Sequence, residues 1–347
     1  MKSALLTALN APLEIVEAGL TALQFGQVQV KVLVSGICGA QLQEIRGEKV
    51  APLPRFLGHE AAGIVEAVGV GVNTVSIGSK VVCHWRIGSG IESDFPRYIV
   101  PAKLSNYSVP AYYDTITSGK VVTFTEQAIV SENRCTAVPL DTPDELCALL
   151  GCGLSTALGT VENEANLQFG ETVLILGVGG LGVNLILASK LRQAASITAC
   201  DIHESKRSLA ENLGATFVTP DQIADKTEGR FDVIIDTTGN ADVFKASLPW
   251  LAGGGRYVLV GQPKPGASLV MANAKHLFDG TGKRVLATQG GGFKPDRDIP
   301  RYVAMHKAGL LKLDGVVSER VPLVEINRGL DLVRHGQASR VMVYMDK

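Results

Sequence analysis

The sequence has almost no net charge. Its 347 residues include 33 Lys and Arg against 34 Asp and Glu, and no run of five residues carries one sign. A protein that binds a nucleic-acid backbone needs a surplus of cations, so nucleic acid is not expected as a partner. Hydrophobic residues make up 46% and charged residues 19%, a mixture typical of folded proteins and not of disordered chains.

Paired cysteine spacing is also absent. The six cysteines are scattered, and the N-terminal segment lacks the apolar core and cleavage site of a signal peptide. Reduced thiols and a cytoplasmic location are therefore expected. The longest apolar stretch, 172–191, is long enough for a bilayer, but four glycines within 177–182 favour a strand followed by a helix. No membrane partner is expected.

The pattern of apolar residues divides the chain into two regions. Strand-like segments lie at 28–38, 60–69, 80–85 and 123–130. They make the first third β-rich, with a long, weakly patterned stretch at 86–120. From residue 171, six strand-like segments alternate with helical ones, which predicts an α/β protein with a doubly wound parallel sheet, or Rossmann fold. The predicted domains are 1–150 with 290–347, and 151–289.

A glycine-rich turn follows the first strand of the second region. After TVLIL (172–176) come Gly177, Val178, Gly179, Gly180, Leu181 and Gly182, which open a helix. The first glycine permits a sharp turn, the second lets the backbone approach a pyrophosphate, and the last lets helix and strand pack closely. The helix N-terminus offers free N–H groups to the phosphates. The turn therefore predicts a dinucleotide site.

The cofactor predicted for this site is NAD. Asp201 ends the next strand, about 20 residues further on, where a carboxylate accepts hydrogen bonds from the ribose hydroxyls and repels a 2′-phosphate. Lys206 is a candidate ribose partner, and Thr238 is a further cofactor-binding candidate. No arginine stands beside Asp201, as NADP would favour. The alternative interpretation of Asp201 is a helix cap.

Cys38, His59 and Cys152 form the candidate metal site. Cys38 lies in Gly-Ile-Cys-Gly, His59 in Gly-His-Glu, and Cys152 in Gly-Cys-Gly. Two thiolates and one imidazole, with a fourth position open, are a ligand set of catalytic zinc. Their separations in the sequence are too wide to establish the site. A buried cysteine and a capping histidine are the alternatives.

Taken together, these motifs resemble the zinc-dependent alcohol dehydrogenases of the medium-chain dehydrogenase/reductase superfamily. The segments GICG, GHEAAGIVEAVG, LLGCGLSTALG, GVGGLG, ACD and GGFK stand in the order of that family. The resemblance implies a GroES-like β-rich catalytic domain and a Rossmann domain, with the active site between them. It implies that Cys38, His59 and Cys152 bind a catalytic zinc. It also implies that Glu60 can approach the metal and that Arg340 lies near the cofactor pyrophosphate.

The chain departs from the family pattern at three places. The stretch after the third strand contains only Cys83, so a four-cysteine structural zinc site cannot be built and one zinc per chain is expected. Ala40 stands where the family usually has a side chain that relays the alcohol proton. Gln41 stands where it usually has Asp, and would orient His59 through a neutral amide.

Because Ala40 has no group that can relay the alcohol proton, another acceptor is needed. The candidates are water, a substrate hydroxyl, Glu60 and His84. For His84, a partly exposed histidine without a role is the alternative. Trp85 and Arg86 are expected to line the substrate pocket with Ala40. With the tyrosines of the following loop, they predict a polar substrate, sugar-like or anionic. These tyrosines are Tyr98, Tyr107, Tyr112 and Tyr113. The alternative is that Trp85 is core and Arg86 pairs with an acid at 92–94.

The expected function is zinc-dependent hydride transfer between NAD(H) and a polar alcohol or carbonyl compound. One alternative is a superfamily reductase that acts on C=C or C=N bonds without metal catalysis. Another is a non-enzymatic protein that keeps the nucleotide-binding fold. A homodimer or homotetramer is expected through the last Rossmann strand, RVLATQ (284–289), whose edge would otherwise stay open.

Overall fold

The computed structural model describes residues 1–49, 51–101, 104, 115–223, 229–271, 274–278 and 280–345. The chain forms two compact units. The first comprises 1–152, 294–313 and 317–347, and the second comprises 153–293 and 314–316. The boundaries expected from the sequence differ from these by a few residues. In addition, 314–316 belong to the second unit, whereas the sequence assigned them to the first domain.

The N-terminal part of the first unit is β-rich. Its strands are β1 (Lys2–Leu6), β2 (Glu14–Glu17), β3 (Gly19–Leu20), β4 (Gln27–Ile37), β5 (Arg55–Phe56), β6 (Ala61–Val68), β7 (Lys80–Cys83), β8 (Arg97–Ile99), β9 (Thr115–Thr117), β10 (Gln127–Ser131) and β11 (Cys135–Val138). Its helices are α1 (Gly39–Ile45) and α2 (Asp144–Leu150). Along β4, Val28, Val30 and Val32 are buried and Lys31 is exposed, as the alternating sequence predicts.

The second unit is built on a six-stranded parallel sheet. Its helices are α3 (Gly153–Gly159), which a π-helical turn (Thr160–Glu164) continues, α4 (Gly180–Leu191), α5 (Arg207–Asn212), α6 (Pro220–Ile223) and α7 (Ala241–Ser247). Its strands are β12 (Thr172–Leu176), β13 (Ser196–Cys200), β14 (Thr216–Val218), β15 (Phe231–Asp236), β16 (Leu251–Leu259) and β17 (Arg284–Ala287). The strand order is β14-β13-β12-β15-β16-β17, with every pair parallel. The predicted doubly wound sheet is confirmed, and its direction of winding reverses between β12 and β15.

The C-terminal segment completes the sheet of the first unit. It contains α8 (Pro295–Lys307), β18 (Glu319–Pro322), α9 (Ile326–Arg334) and β19 (Val341–Tyr344). The main sheet runs β11-β7-β6-β4-β19-β18, and β10 also pairs with β4. Two small sheets, β2-β1-β5 and β3-β8-β9, flank it. Strand β19 is antiparallel to β4, and Val341 lies opposite Ile37. The start of β19 is thereby brought next to the end of β4, which Cys38 follows.

The long apolar stretch at 172–191 divides as the sequence predicts. It forms β12 and α4, separated by the glycine-rich turn. None of the helices within the described part of the chain combines the length and the apolar character needed to cross a membrane.

Glu132 fastens the loop that follows β7. It opens a single 3-10 turn between β10 and β11, and its side chain is fully buried. Oε1 accepts hydrogen bonds from the backbone N–H groups of Asn73 (2.6 Å) and Thr74 (2.7 Å), and Oε2 accepts one from Ile91 (2.8 Å). Burial raises the pKa of the Glu132 carboxyl, but these hydrogen bonds outweigh it and hold the pKa below its usual value. The Glu132 carboxylate therefore fixes the backbone at Ile91, near the start of the 86–120 stretch.

We expect Glu132→Gln to lower the free energy of unfolding by about 2 kcal/mol at neutral pH, because an amide offers one acceptor oxygen to three N–H groups. The folded pKa of Glu132 lies below its unfolded value of about 4.3. The carboxylate therefore stabilises the fold above that pH, and its contribution disappears as the pH falls through the folded pKa. Urea unfolding should show the difference between wild type and variant shrinking below about pH 4. A pH-independent difference would contradict this account.

Candidate functional site

Three side chains of the first unit converge on one point. The ligand atoms of Cys38, His59 and Cys152 all lie within 4.8 Å of one another. Cys38 follows β4, His59 lies two residues before β6, and Cys152 follows α2. Because β4 and β6 are paired and α2 packs on both, three distant segments of the sequence meet here. Bonds of about 2.0–2.3 Å to one ion can bridge this spacing with small adjustments.

Gly151 allows Cys152 to reach this point. A Cβ atom on Gly151 would overlap the carbonyl oxygen of Cys83 and lie 2.7 Å from Cβ of Glu60. A larger residue would push the end of α2 away from the segment that carries His59. The glycine before Cys152 is therefore required by a close approach of two backbones.

The chemistry of the donors fits a metal ion. His59 Nε2 is buried, and among the described residues it has no hydrogen-bond partner. A hydrogen bond from Cys152 lowers the pKa of the Cys38 thiol well below its usual value, and His59 and Arg340 lower it further. The pKa of Cys152 is raised in return, since it keeps the shared proton. A thiolate, a second sulfur and an unpartnered imidazole nitrogen are ligands that zinc prefers.

Gln41 contacts two of these ligand residues. It is buried in α1, its Oε1 accepts a hydrogen bond from the backbone N–H of Cys38 (2.9 Å), and its Nε2 lies 2.6 Å from His59 Nδ1. This is the contact expected of a side chain that orients His59. Since Gln41 occupies Nδ1, a metal would bind Nε2, which requires the ring hydrogen on Nδ1. The amide accepts that hydrogen only if it turns its oxygen towards the ring.

Glu60 and Arg340 form a buried ion pair next to the ligands. Both carboxylate oxygens of Glu60 lie 2.5 Å from Nη2 of Arg340, and Nη1 donates to the carbonyl oxygen of Ile37 (3.3 Å). Burial raises the pKa of Glu60, and Arg340 counteracts this in part. In this arrangement Glu60 is not part of the described three-ligand cluster. Its approach to the metal, and the contact of Arg340 with a pyrophosphate, stay predictions.

His84 is held by two hydrogen bonds. It is fully buried, Nδ1 donates to the carbonyl oxygen of Arg86 (2.7 Å), and Nε2 accepts from the hydroxyl of Thr136 (2.9 Å). Burial lowers the pKa of His84 to about 4, so the ring is neutral at physiological pH. Both ring nitrogens have partners within the protein, which supports a structural role for His84. Its role as a relay of the substrate proton stays a prediction.

We expect His84→Asn to leave the pH dependence of turnover unchanged, because both ring nitrogens are engaged by partners within the protein. The asparagine N–H can still reach the Arg86 carbonyl, and the loss of the Thr136 bond should cost about 1–2 kcal/mol of stability. Profiles of kcat against pH for wild type and variant provide the measurement. If the zinc-loaded, folded variant shows a shifted limb in its profile of kcat against pH, His84 takes part in the proton relay.

A cavity of about 170 Å³ adjoins His59 in the first unit. Trp85 lines it, which agrees with the pocket role expected of that residue. The described lining does not include Ala40 or Arg86, and the guanidinium carbon of Arg86 lies 6.0 Å from the centre of the Trp85 ring. The pocket roles of Ala40 and Arg86 stay predictions. The cations of the lining are instead Arg55, Lys120 and Arg134, which the sequence analysis missed.

The tyrosines of the 86–120 stretch do not provide a described pocket wall. Tyr98 is buried, its ring centre lies 5.0 Å from that of Phe56, and its hydroxyl accepts from the N–H of Ile129 (2.9 Å) and donates to the Ile129 carbonyl (3.2 Å). Tyr98 therefore belongs to the core, and its hydroxyl does not support the polar substrate that the tyrosines of this stretch predicted. Tyr107, Tyr112 and Tyr113 lie outside the described residues.

In the second unit, the glycine-rich turn has the geometry expected of a phosphate-binding turn. Gly177 has a φ of +92°, which side chains rarely tolerate. A Cβ atom on Gly182 would overlap the carbonyl oxygen of Gly177, so only glycine permits this contact between α4 and β12. A Cβ atom on Gly179 would meet nothing within 4 Å, which leaves the backbone open to a ligand. Gly180 and Leu181 begin α4.

Asp201 holds the glycine-rich turn to the end of β13. Its Oδ2 accepts from the backbone N–H of Val178 (2.7 Å), and its Oδ1 accepts from the N–H of His203 (2.9 Å). The carboxylate is therefore fixed beside the turn, where the sequence predicts the ribose-binding acid. Lys206 lies close by and is buried, and burial lowers the pKa of its ammonium while Asp201 partly opposes this.

Thr238 lies on the other side of the same turn. Its backbone N–H and its hydroxyl both donate to Oδ1 of Asp236 (2.7 Å each). A Cβ atom on Gly177 would lie 3.5 Å from the methyl group of Thr238. The structure therefore brings Asp201 and Thr238 to the same glycine-rich turn.

A second cavity, of about 340 Å³, opens at the carboxyl ends of β15, β16 and β17. Its lining includes Asp236, Gly239, Asn240, 259–263, Leu269 and 287–289. The sequence analysis missed these residues because no short motif marks them. The general rule that ligands bind at the carboxyl ends of parallel strands could have indicated them.

Comparisons with known proteins extend over both units. Residues 24–140 match the family model for an alcohol dehydrogenase GroES-like domain, and residues 180–307 match the model for a zinc-binding dehydrogenase. Benzyl alcohol dehydrogenase from Acinetobacter calcoaceticus is 26% identical over 99% of both chains, with a TM-score of 0.86. An alcohol dehydrogenase zinc-binding domain protein from Burkholderia ambifaria is 26% identical over 100% of this chain and 99% of its own, with a TM-score of 0.87. The 2R,3R-butanediol dehydrogenase from Bacillus subtilis, 22% identical over 99% of both chains with a TM-score of 0.78, shares the fold.

Proposed function

The chain belongs to the zinc-dependent alcohol dehydrogenases of the medium-chain dehydrogenase/reductase superfamily, and on this premise we propose that it transfers a hydride between NAD(H) and a polar alcohol or the corresponding carbonyl compound. The observation that carries the proposal is the convergence of Cys38, His59 and Cys152 within 4.8 Å. A zinc ion held by these residues would supply Lewis-acid chemistry at the substrate oxygen.

Other residues around the metal centre orient the substrate, position the His59 ring and decide where the alcohol proton goes. Trp85 and the cavity beside His59 orient the substrate and exclude water. Gln41 positions the His59 ring. Ala40 offers no proton acceptor and His84 is occupied by its two hydrogen bonds. Both carboxylate oxygens of Glu60 are held by Arg340. Water or a hydroxyl of the substrate therefore takes the alcohol proton in this proposal.

NAD is favoured over NADP by the charges beside the glycine-rich turn. The Asp201 carboxylate would repel a 2′-phosphate. The next arginine along the chain, Arg207, is paired with Glu204 and with Glu211 (3.2 Å), and its guanidinium carbon lies 4.8 Å from the centre of the Phe217 ring. These contacts already pair the arginine nearest to Asp201 along the chain, and Lys206 is assigned to the ribose hydroxyls in this proposal.

The proposal includes one zinc per chain and an assembly of two or four chains. In the part of the chain that the structure describes, the Cys38 group is the only set of three or more side chains found that could hold a metal. The scattered cysteines without paired spacing support a reducing compartment such as the cytoplasm. Strand β17 is the edge of its sheet within the chain, which supports pairing with a second copy there.

Turnover assays together with metal analysis test the proposed function. The purified protein is assayed with NAD and NADP against polyols, amino alcohols and sugar derivatives. We expect about one zinc per chain, kcat/KM for NAD at least about tenfold above that for NADP, and activity that a chelator abolishes and zinc restores. Enone reduction that survives chelation would favour a C=C or C=N reductase instead. NAD binding without any turnover would favour a non-enzymatic role.

A further inference from the structure

We propose that the cavity beside His59 is a subsite for an anionic group of the substrate, a carboxylate or a phosphate. The inference rests on the proposed function and names the class of alcohol that it acts on. The cavity measures about 170 Å³. Since one water molecule occupies about 30 Å³ of liquid, this is room for an oxyanion and a few carbon atoms. His59 and Trp85 form part of its lining.

Positive charge exceeds negative charge around this cavity. Nζ of Lys120 and Nη2 of Arg134 each lie 3.3 Å from the same oxygen of Glu92. Arg55 is paired with Glu44 at 2.9 Å, and Glu44 is the single acid of the described lining. The three cations are therefore paired with only two carboxylates, those of Glu44 and Glu92. An anion in the cavity would balance the remaining positive charge.

Two buried N–H groups beside the cavity lack acceptors. Nε of Arg55 and the indole Nε1 of Trp85 are shielded from solvent, and neither has a hydrogen-bond partner among the described residues. An unpaired buried donor costs about 1–3 kcal/mol. A bound oxyanion would satisfy these donors once the side chains turn them into the cavity, to which they are not exposed in this structure. Arginine also matches the planar geometry of a carboxylate or the oxygens of a phosphate.

The positions of these cations explain how an anionic group of the substrate would contribute to the reaction. Arg55 lies in β5, directly before the segment that carries His59, and Arg134 donates a hydrogen bond to the carbonyl oxygen of Trp85. Arg55 and Arg134 are therefore fixed relative to the metal ligand His59. Binding energy from a group that does not react can align the alcohol with the metal centre.

Pairs of alcohols in which one member carries an anionic group and the other carries a neutral hydroxyl in its place test the subsite. We use 4-hydroxybutyrate against 1,4-butanediol, and glycerol 3-phosphate against glycerol, with the zinc-loaded protein and NAD. We expect kcat/KM to favour the anionic member of at least one pair by about tenfold or more, and the responding pair identifies carboxylate or phosphate. Lys120→Met and Arg55→Met should each reduce this preference about tenfold. The matched control, Arg46→Met, removes an exposed cation paired with Glu48 and should keep the preference.

A second measurement does not depend on turnover. The chain has two tryptophans, so in Trp250→Phe the fluorescence reports Trp85 alone. Inorganic phosphate or acetate should give a saturable change, with a Kd at least about tenfold higher when Lys120→Met is added. A saturable change without turnover of any alcohol would overturn the proposed function and keep the subsite. Turnover that shows no preference for the anionic alcohols would overturn the subsite. The subsite would also be overturned if Lys120→Met left both the preference and the response to anions unchanged.

Discussion

Replacing Cys152 with serine is expected to reduce kcat/KM by at least about a thousandfold and to remove most of the bound zinc. A serine hydroxyl stays protonated at neutral pH and is a poor zinc ligand, so only Cys38 and His59 would remain. Two ligands cannot hold the ion in the tetrahedral arrangement that zinc requires. Serine is close to cysteine in size, so the contact between Gly151 and Glu60 stays intact. Zinc per chain after dialysis and steady-state kinetics give the two readouts.

Cys147→Ser is the matched control for this variant. Cys147 lies in helix α2, which Cys152 follows, and it is fully buried; burial raises the pKa of its thiol to about 12. Its substitution should cost some stability but keep both zinc and turnover. If it lost zinc as completely as Cys152→Ser does, the effect would reflect unfolding and not ligation. Full zinc content and activity in Cys152→Ser would remove the proposed metal centre.

The metal ligands could be predicted from the sequence because each lies in a short segment with its own constraint. Gly151 precedes Cys152 for a steric reason, and the strand of Cys38 has a clear alternating pattern. The family resemblance then linked segments that spacing alone could not. The Rossmann sheet was equally accessible, because strands and helices alternate from β12 to β16.

The partners of these residues could not be predicted, because they depend on pairing between distant strands. The Glu60–Arg340 ion pair spans 280 positions and forms only because β19 pairs with β4. Nothing in the sequence near Arg340 indicates that partner.

His84 shows a second limit of the sequence analysis. It precedes a pocket residue, Trp85, but the two side chains lie in different surroundings. His84 turns inwards to Thr136, whereas Trp85 lines the cavity.

The cations of the cavity show a third limit. Arg55, Lys120 and Arg134 come from three separate segments, and none of them belongs to a motif.

Gln41→Glu is expected to raise the affinity for zinc by about tenfold to a hundredfold. In the structure, the amide oxygen of Gln41 accepts from the Cys38 N–H, while its nitrogen lies against His59 Nδ1. Zinc on Nε2 places a hydrogen on Nδ1, and a single amide oxygen cannot accept from both donors. Zinc binding therefore costs one of the two hydrogen bonds. A glutamate has the same length and two acceptor oxygens, so it can keep both.

Equilibrium competition with a fluorescent zinc chelator measures this affinity without relying on turnover. Gln43→Glu adds the same charge to the same helix α1 two residues away, and should change the affinity much less. Gln41→Met, which removes both polar atoms, should bind zinc about tenfold more weakly than wild type, because nothing then fixes the His59 ring. Equal gains in Gln41→Glu and Gln43→Glu would mean that charge alone acts on the metal. An unchanged affinity in Gln41→Glu would mean that the two donors do not compete for one oxygen, and the orientation of the amide would then have to be reassigned.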